Sequence, residues 1–86
     1  MYEWDEAKRR ANLAKHGVDF ADMTRFDWDT AVFLDTWIVE NERRETVLGL
    51  MGGRIVVAVL TERDELYRMI SLRRANNRER MIWNNA

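Results

Sequence analysis

Arg54-Ile55-Val56-Val57-Ala58-Val59-Leu60 is the stretch that decides the fold. It is apolar at nearly every position, and most of those residues are β-branched. Such a run reads as a central strand covered on both faces. Gly52-Gly53 just before it signals a tight turn. Glu45-Thr46-Val47-Leu48-Gly49-Leu50 then reads as the strand entering that turn, and Ala31–Leu34 and Trp37–Val39 supply earlier strand material. Beyond Leu60, Glu62-Arg63-Asp64-Glu65 forms the next turn and Leu66–Leu72 the next strand. The centre of the chain is therefore an antiparallel meander of about four strands.

The flanks read as helices. Asp5 is a good N-cap and Gly17 a good left-handed terminator, which predicts a helix from Glu6 to His16. Ala7, Ala11 and Ala14 recur at helical spacing and are expected to let it pack closely. Lys8, Asn12 and Lys15/His16 form a second, polar stripe, for which a solvated face is the usual outcome. Asp19 can cap a short second helix whose core side is Phe20, Met23 and Phe26. Near the C-terminus, Asn76 and Glu79 have capping-box spacing, and Met81, Ile82 and Trp83 give the short helix after them an apolar face. The expected architecture is one α+β domain spanning residues 1–86, with two N-terminal helices, the sheet and a short C-terminal helix.

Composition sets outer limits. The chain has 86 residues, 47% hydrophobic and 34% charged, the balance of a soluble globular domain and not of a disordered one. It contains no cysteine and a single histidine, so a thiolate metal site is excluded and no metal or other cofactor is expected. No apolar run approaches the roughly 20 residues of a membrane span. The acidic, aromatic start Met1-Tyr2-Glu3-Trp4-Asp5 does not read as a signal peptide, which suits a cytoplasmic protein. The formal net charge of −1 hides a division. Residues 1–42 carry ten acidic and five basic side chains, whereas residues 43–86 carry nine arginines against five acids. Such a split suggests an anion-seeking face on an acidic body.

The arginines concentrate around Thr61–Ala75. A guanidinium stays charged and presents a planar fork that fits phosphate. In regular alternation Tyr67, Met69, Ser71 and Arg73 share one face of the last strand, and Leu66, Arg68, Ile70, Leu72 and Arg74 the other. Ser71 beside Arg73 can then hold one phosphate. Arg63 lies in the turn at the far end, and Arg44 and Arg54 flank the preceding hairpin. Metal-independent RNA cleavage needs a base for the ribose 2′-OH, a cation for the phosphorane and an acid for the leaving 5′-oxygen. Arginine suits the second role alone. His16 has the intrinsic pKa best suited to moving a proton; Lys8, Tyr67 and Glu62 are further candidates. The plainer readings are that the arginines are solvated surface charges, that His16 caps helix carbonyls and that Glu79 is a structural cap.

Taken in order, these residues resemble the BrnT family of bacterial type II toxins. Trp4-Asp5-Glu6-Ala7-Lys8, Asn12-Leu13, Lys15-His16-Gly17-Val18 and Phe20 match its opening pattern. Arg44 with Gly49 resembles a middle block, and Thr61-Glu62-Arg63 with Arg68-Met69-Ile70-Ser71-Leu72-Arg73-Arg74-Ala75 and Glu79 its close. The resemblance implies a RelE-like fold, RNA cleavage that arrests translation, and neutralisation by a BrnA-like antitoxin through which alone DNA is contacted. It places Arg63 and Arg73 in the active face and matches Lys8, His16 and Arg44 at other motif positions. Together with the residue reading, the catalytic candidates are Arg63, Arg73, His16 and Lys8, and the expected RNA contacts are Arg44, Arg54, Ser71 and Arg74. A catalytically silent RNA- or antitoxin-binding module is the alternative.

Overall fold

A computed structural model describes residues 1–86. The elements are β1 (Tyr2–Glu3), α1 (Glu6–His16), a 3-10 helix (Phe20–Arg25), β2 (Val32–Val39), β3 (Glu42–Met51), β4 (Arg54–Arg63), β5 (Leu66–Arg74) and α2 (Asn77–Asn84). They form a mixed α+β domain around one five-stranded sheet of order β1-β5-β4-β3-β2. β2 to β5 are an antiparallel meander, and β1 adds to β5 in parallel.

The sheet differs from the expected count by β1, a two-residue strand too short to leave a periodic signal. The two stretches of strand material at residues 31–39 join into one β2, whose register shifts between Phe33 and Asp35. The second N-terminal helix is also corrected. It is a 3-10 helix, and the three-residue spacing of Phe20, Met23 and Phe26 suits its three residues per turn. All three side chains are buried. The Phe26 ring lies directly on Gly49, where an added Cβ would sit 2.2 Å from the ring tip.

α1 has the predicted bounds and caps, Asp5 accepting from the Lys8 N–H at 3.1 Å and Gly17 at φ 70°. Its packing face is not the predicted one. Ala7, Ala11 and Ala14 are exposed, and the residue that buries is Asn12. Its amide donates to the Leu72 carbonyl at 2.8 Å and to the Val18 carbonyl at 3.0 Å, and accepts from the Leu72 N–H at 3.1 Å. β1 pairs with β5 only at Tyr67 and Arg68, so Leu72 lies on an edge left free by backbone. The Asn12 amide satisfies that edge as a neighbouring strand would, which pins α1 along β5.

Each hairpin turn has two residues, and all six have positive φ: Glu40-Asn41, Gly52-Gly53 and Asp64-Glu65. This matches the right-handed twist of the strands they join. One face of the sheet, the first face, carries the main core of Val47, Val56, Ala58, Leu60, Met69 and Leu72 beneath the 3-10 helix. The other, the second face, carries a smaller cluster of Leu48, Val57 and Ala75, covered by Trp83 of α2. Met81 and Ile82, expected on the same apolar face, remain exposed. No helix is long and apolar enough to cross a membrane.

Candidate nucleic-acid interface

A β-bulge sets the geometry of the arginines. Val59 pairs with Ser71 but Leu60 pairs with Met69, so Ile70 is an extra residue in β5. An extra residue reverses the face of everything beyond it. Tyr67 and Met69 lie opposite Glu62 and Leu60 on the first face, whereas Arg68, Ser71 and Arg73 lie opposite Thr61, Val59 and Val57 on the second. The expected alternation, which put Arg68 across the sheet from Ser71 and Arg73, is thereby corrected. β3 continues the second-face pattern, with Arg44 beside Thr61 and Thr46 beside Val59, and β2 adds Trp37 beside Arg44.

The second face thus carries Trp37, Arg44, Thr61 and Arg68 in one row across four strands, flanked by Arg63 and Ser71. Thr61 is buried and fixed by donating to the Arg43 carbonyl at 2.6 Å. α2 covers Leu48 and Val57 towards the other end of this face, leaving the arginine row uncovered by any helix.

Arg63 and Arg73 are hydrogen-bonded to carboxylates, whereas Arg44 and Arg68 only approach them. Arg63 donates to Glu42, and this holds the Glu42 carboxyl below its ordinary range and the Arg63 guanidinium above its own. Arg68 lies 3.7 Å from Glu3. Arg73 is bidentate to Glu79 at 2.8 Å through both nitrogens; the pair lowers Glu79 and raises Arg73. Arg44 differs. Its Nε approaches Glu42 only to 3.6 Å, beyond hydrogen-bond reach, and is the one buried side-chain polar atom without a hydrogen-bond partner. Buried donors are rarely left unmade, and the nearest acceptor to this one is the Glu42 carboxylate.

The other site residues predicted from sequence fall in several places. Around the α1 axis, Lys8 and Lys15 lie about 40–60° to one side of Asn12, and Arg9 and His16 about as far to the other. Arg9 is ion-paired at 2.9 Å to Asp19, which caps the 3-10 helix over the first face. His16 therefore shares the first-face flank, while Lys8 lies on the flank towards the second. Arg54 and Arg74 belong to the first face as well, opposite Met51 and Val56. Tyr67 stacks on Trp28 with ring centres 4.9 Å apart, and burial raises its phenol pKa, which disfavours it as a base. Glu62 opens onto a small pocket beside Tyr67, Arg43 and Glu45, away from the arginine row. No three His, Asp or Glu side chains converge as a metal-binding group. Sequence reasoning missed Trp37, Arg68 and Glu42; register across strands identifies them, and a single strand read alone does not.

The row of guanidiniums on this open sheet face is the main charged feature of the mixed α+β domain. The family profile described as the ribonuclease toxin BrnT of type II toxin–antitoxin systems matches residues 4–79, from the approach to α1 through the Arg73 partner Glu79. The chain belongs to that family of ribonuclease toxins. A toxin of this type implies an antitoxin partner. No individual curated protein matches the chain closely enough to add to this.

Proposed function

We propose that the chain is a metal-independent endoribonuclease toxin whose reaction takes place on the open half of the second face. The observation that carries this reading is the cross-strand row that sets Arg44 and Arg68 on either side of Thr61 on the uncovered face. In this reading Arg44 and Arg68 grip the scissile phosphate from two strands. The ribose 2′-hydroxyl gives its proton to solvent as its oxygen attacks the neighbouring phosphorus, and the bond to the 5′-oxygen breaks, leaving a cyclic phosphate and a 5′-hydroxyl. Negative charge grows on the phosphoryl oxygens, where preformed guanidiniums stabilise it most. Trp37, at the end of the row, offers a ring on which a base can stack.

Arg63 and Arg73 have supporting parts. Glu42 and Glu79 already occupy their forks, so they shape the field of the face and do not clamp phosphate alone. Lys8, on the α1 flank towards this face, is the group we assign to protonate the leaving 5′-oxygen. His16, on the opposite flank, is assigned no step. We further infer a BrnA-like antitoxin as the neutralising partner, DNA contact through that partner alone, and action in the cytoplasm on translated RNA.

The test is cleavage of RNA by purified protein in EDTA, alongside the Arg44→Ala and Arg68→Ala variants. Cleavage that persists in EDTA and falls in both variants, each still folded, is expected. RNA left intact by wild type, with tight antitoxin binding, would establish the silent binding module instead.

A further inference from the structure

Five of the twelve arginines have no carboxylate partner. Arg9, Arg10, Arg43, Arg44, Arg63, Arg68 and Arg73 each have a carboxylate within 4.0 Å; Arg78 and Arg80 of α2 do not, and neither do Arg25, Arg54 and Arg74. These last three gather at the β3–β4 turn, on the rim of the first face. Arg54 pairs with Met51 and Arg74 with Val56, so they are diagonal neighbours on one face of β4 and β5. The Arg25 guanidinium lies over Gly52 in that turn, where a Cβ would come 2.5 Å from its Nη2. Arg25 and Arg54 together line a small cavity whose single acid is Asp22.

We propose that this rim is a second phosphate-binding surface, which holds the RNA backbone away from the cleavage face. The inference rests on the ribonuclease reading above and assigns it a substrate-positioning surface. Three arginines outside ion-pair reach of any carboxylate, with Asp22 the one acid in their cavity, attract an anion more strongly than the paired arginines of the second face do. The Arg25 guanidinium already lies over the turn backbone beside Arg54, so its planar fork is close to where a phosphate would bridge the two. The cavity's apolar lining, Val18 and Met51, is itself buried, and leaves no exposed hydrophobic anchor of the sort a protein partner uses. Polyanionic single-stranded RNA is the ligand that such a rim fits.

The test uses the full chain and non-cleavable 2′-O-methyl RNA of two lengths, roughly 5 and roughly 20 nucleotides, within and beyond the footprint of one small site. Anisotropy titrations over a range of salt compare wild type with Arg25→Ala/Arg54→Ala/Arg74→Ala, after thermal unfolding has shown that the variant is folded. The expected result is a loss of about tenfold or more for the long RNA at low salt and little change for the short one. The salt slope should fall by about 2, since each phosphate contact on a single strand contributes about 0.7. Asp22→Asn, which removes the only acid in the cavity, should tighten the long RNA. Unchanged binding of the long RNA would overturn the proposal, and so would an equal loss for both lengths, which would make the rim the primary site. Competition by polyglutamate as effective as by RNA would assign the rim to an acidic protein and overturn it too. Failure of the cleavage reading itself would show separately, as undiminished cleavage by Arg44→Ala and Arg68→Ala.

Discussion

Glu79 holds Arg73 in a two-pronged grip, each nitrogen 2.8 Å from a different carboxylate oxygen, and one of those oxygens also accepts the Asn76 N–H at 2.8 Å. A single carboxylate thus closes the capping box of α2 and ties the helix to the end of β5. Replacing Glu79 with alanine is expected to cost about 1–3 kcal/mol at neutral pH, from the lost cap and a charge-assisted pair. The folded pKa of this carboxyl lies below its ordinary value of 4.5, chiefly through its hydrogen bonds to Arg73. Its stabilisation is therefore present above that value and is lost as pH falls through the lower folded one. Urea unfolding of wild type and Glu79→Ala should show a stability gap that is constant at neutral pH and narrows in acid. A gap that widened in acid would contradict the assignment.

Asn12 is expected to be among the most sensitive positions in the chain. Asn12→Ala leaves the Leu72 N–H and carbonyl and the Val18 carbonyl without partners, at roughly 2–4 kcal/mol. Asn12→Asp should be at least as harmful, because it turns an acceptor towards two carbonyls. Denaturant midpoints measure both. Hydrogen exchange at Leu72 should also quicken in Asn12→Ala well before the sheet centre does.

RNA cleavage should distinguish the arginines by their partners. Arg44→Ala and Arg68→Ala are expected to reduce single-turnover cleavage by about 10²–10³ each, the effect of losing one donor to a developing oxyanion. Glu42→Gln removes the acid nearest both Arg44 and Arg63 and should tighten RNA binding while leaving the fold intact. Weaker binding in Glu42→Gln would argue that the carboxylate positions those guanidiniums and does not compete with RNA for them.

The β4–β5 turn predicts a gain. Glu65 has φ 68°, a left-handed conformation that costs a side-chain-bearing residue about 1 kcal/mol. Glu65→Gly gives the Asp-Gly pair that such turns favour and should raise the unfolding free energy by up to about 1 kcal/mol. A drop in stability would show that the Glu65 side chain makes a contribution larger than its backbone strain.

Much of the fold was legible because each element carried a local signal. The caps at Asp5, Gly17 and Asn76 and the apolar run of β4 are properties of adjacent residues, and they lie where expected. The 3-10 helix was readable as a helix, with its type hidden in a three-residue spacing. The packing of α1 was not readable. Three alanines at helical spacing imitate a core face, whereas the actual anchor is a polar residue bonded to a backbone sixty positions away. The candidate site was half legible for a similar reason. Ser71 and Arg73 kept their shared face because they lie on the same side of the bulge. Arg68 changed faces because Ile70 is an extra residue that only pairing with β4 reveals. Arg73 looked like a free phosphate ligand because its partner Glu79 comes from the next element, and nothing in the strand alone indicates that pairing.

The Asn12 amide has a consequence for assembly. With β1 at Tyr67 and Arg68 and Asn12 at Leu72, the β5 border of the sheet is occupied, while β2 at the opposite border is backed by no further strand. The border away from β2 offers only the two residues of β1, so β2 is the longer template for a strand from another chain. Two copies joined at β2 would leave only that short strand exposed at each end, which favours a closed pair over a growing row.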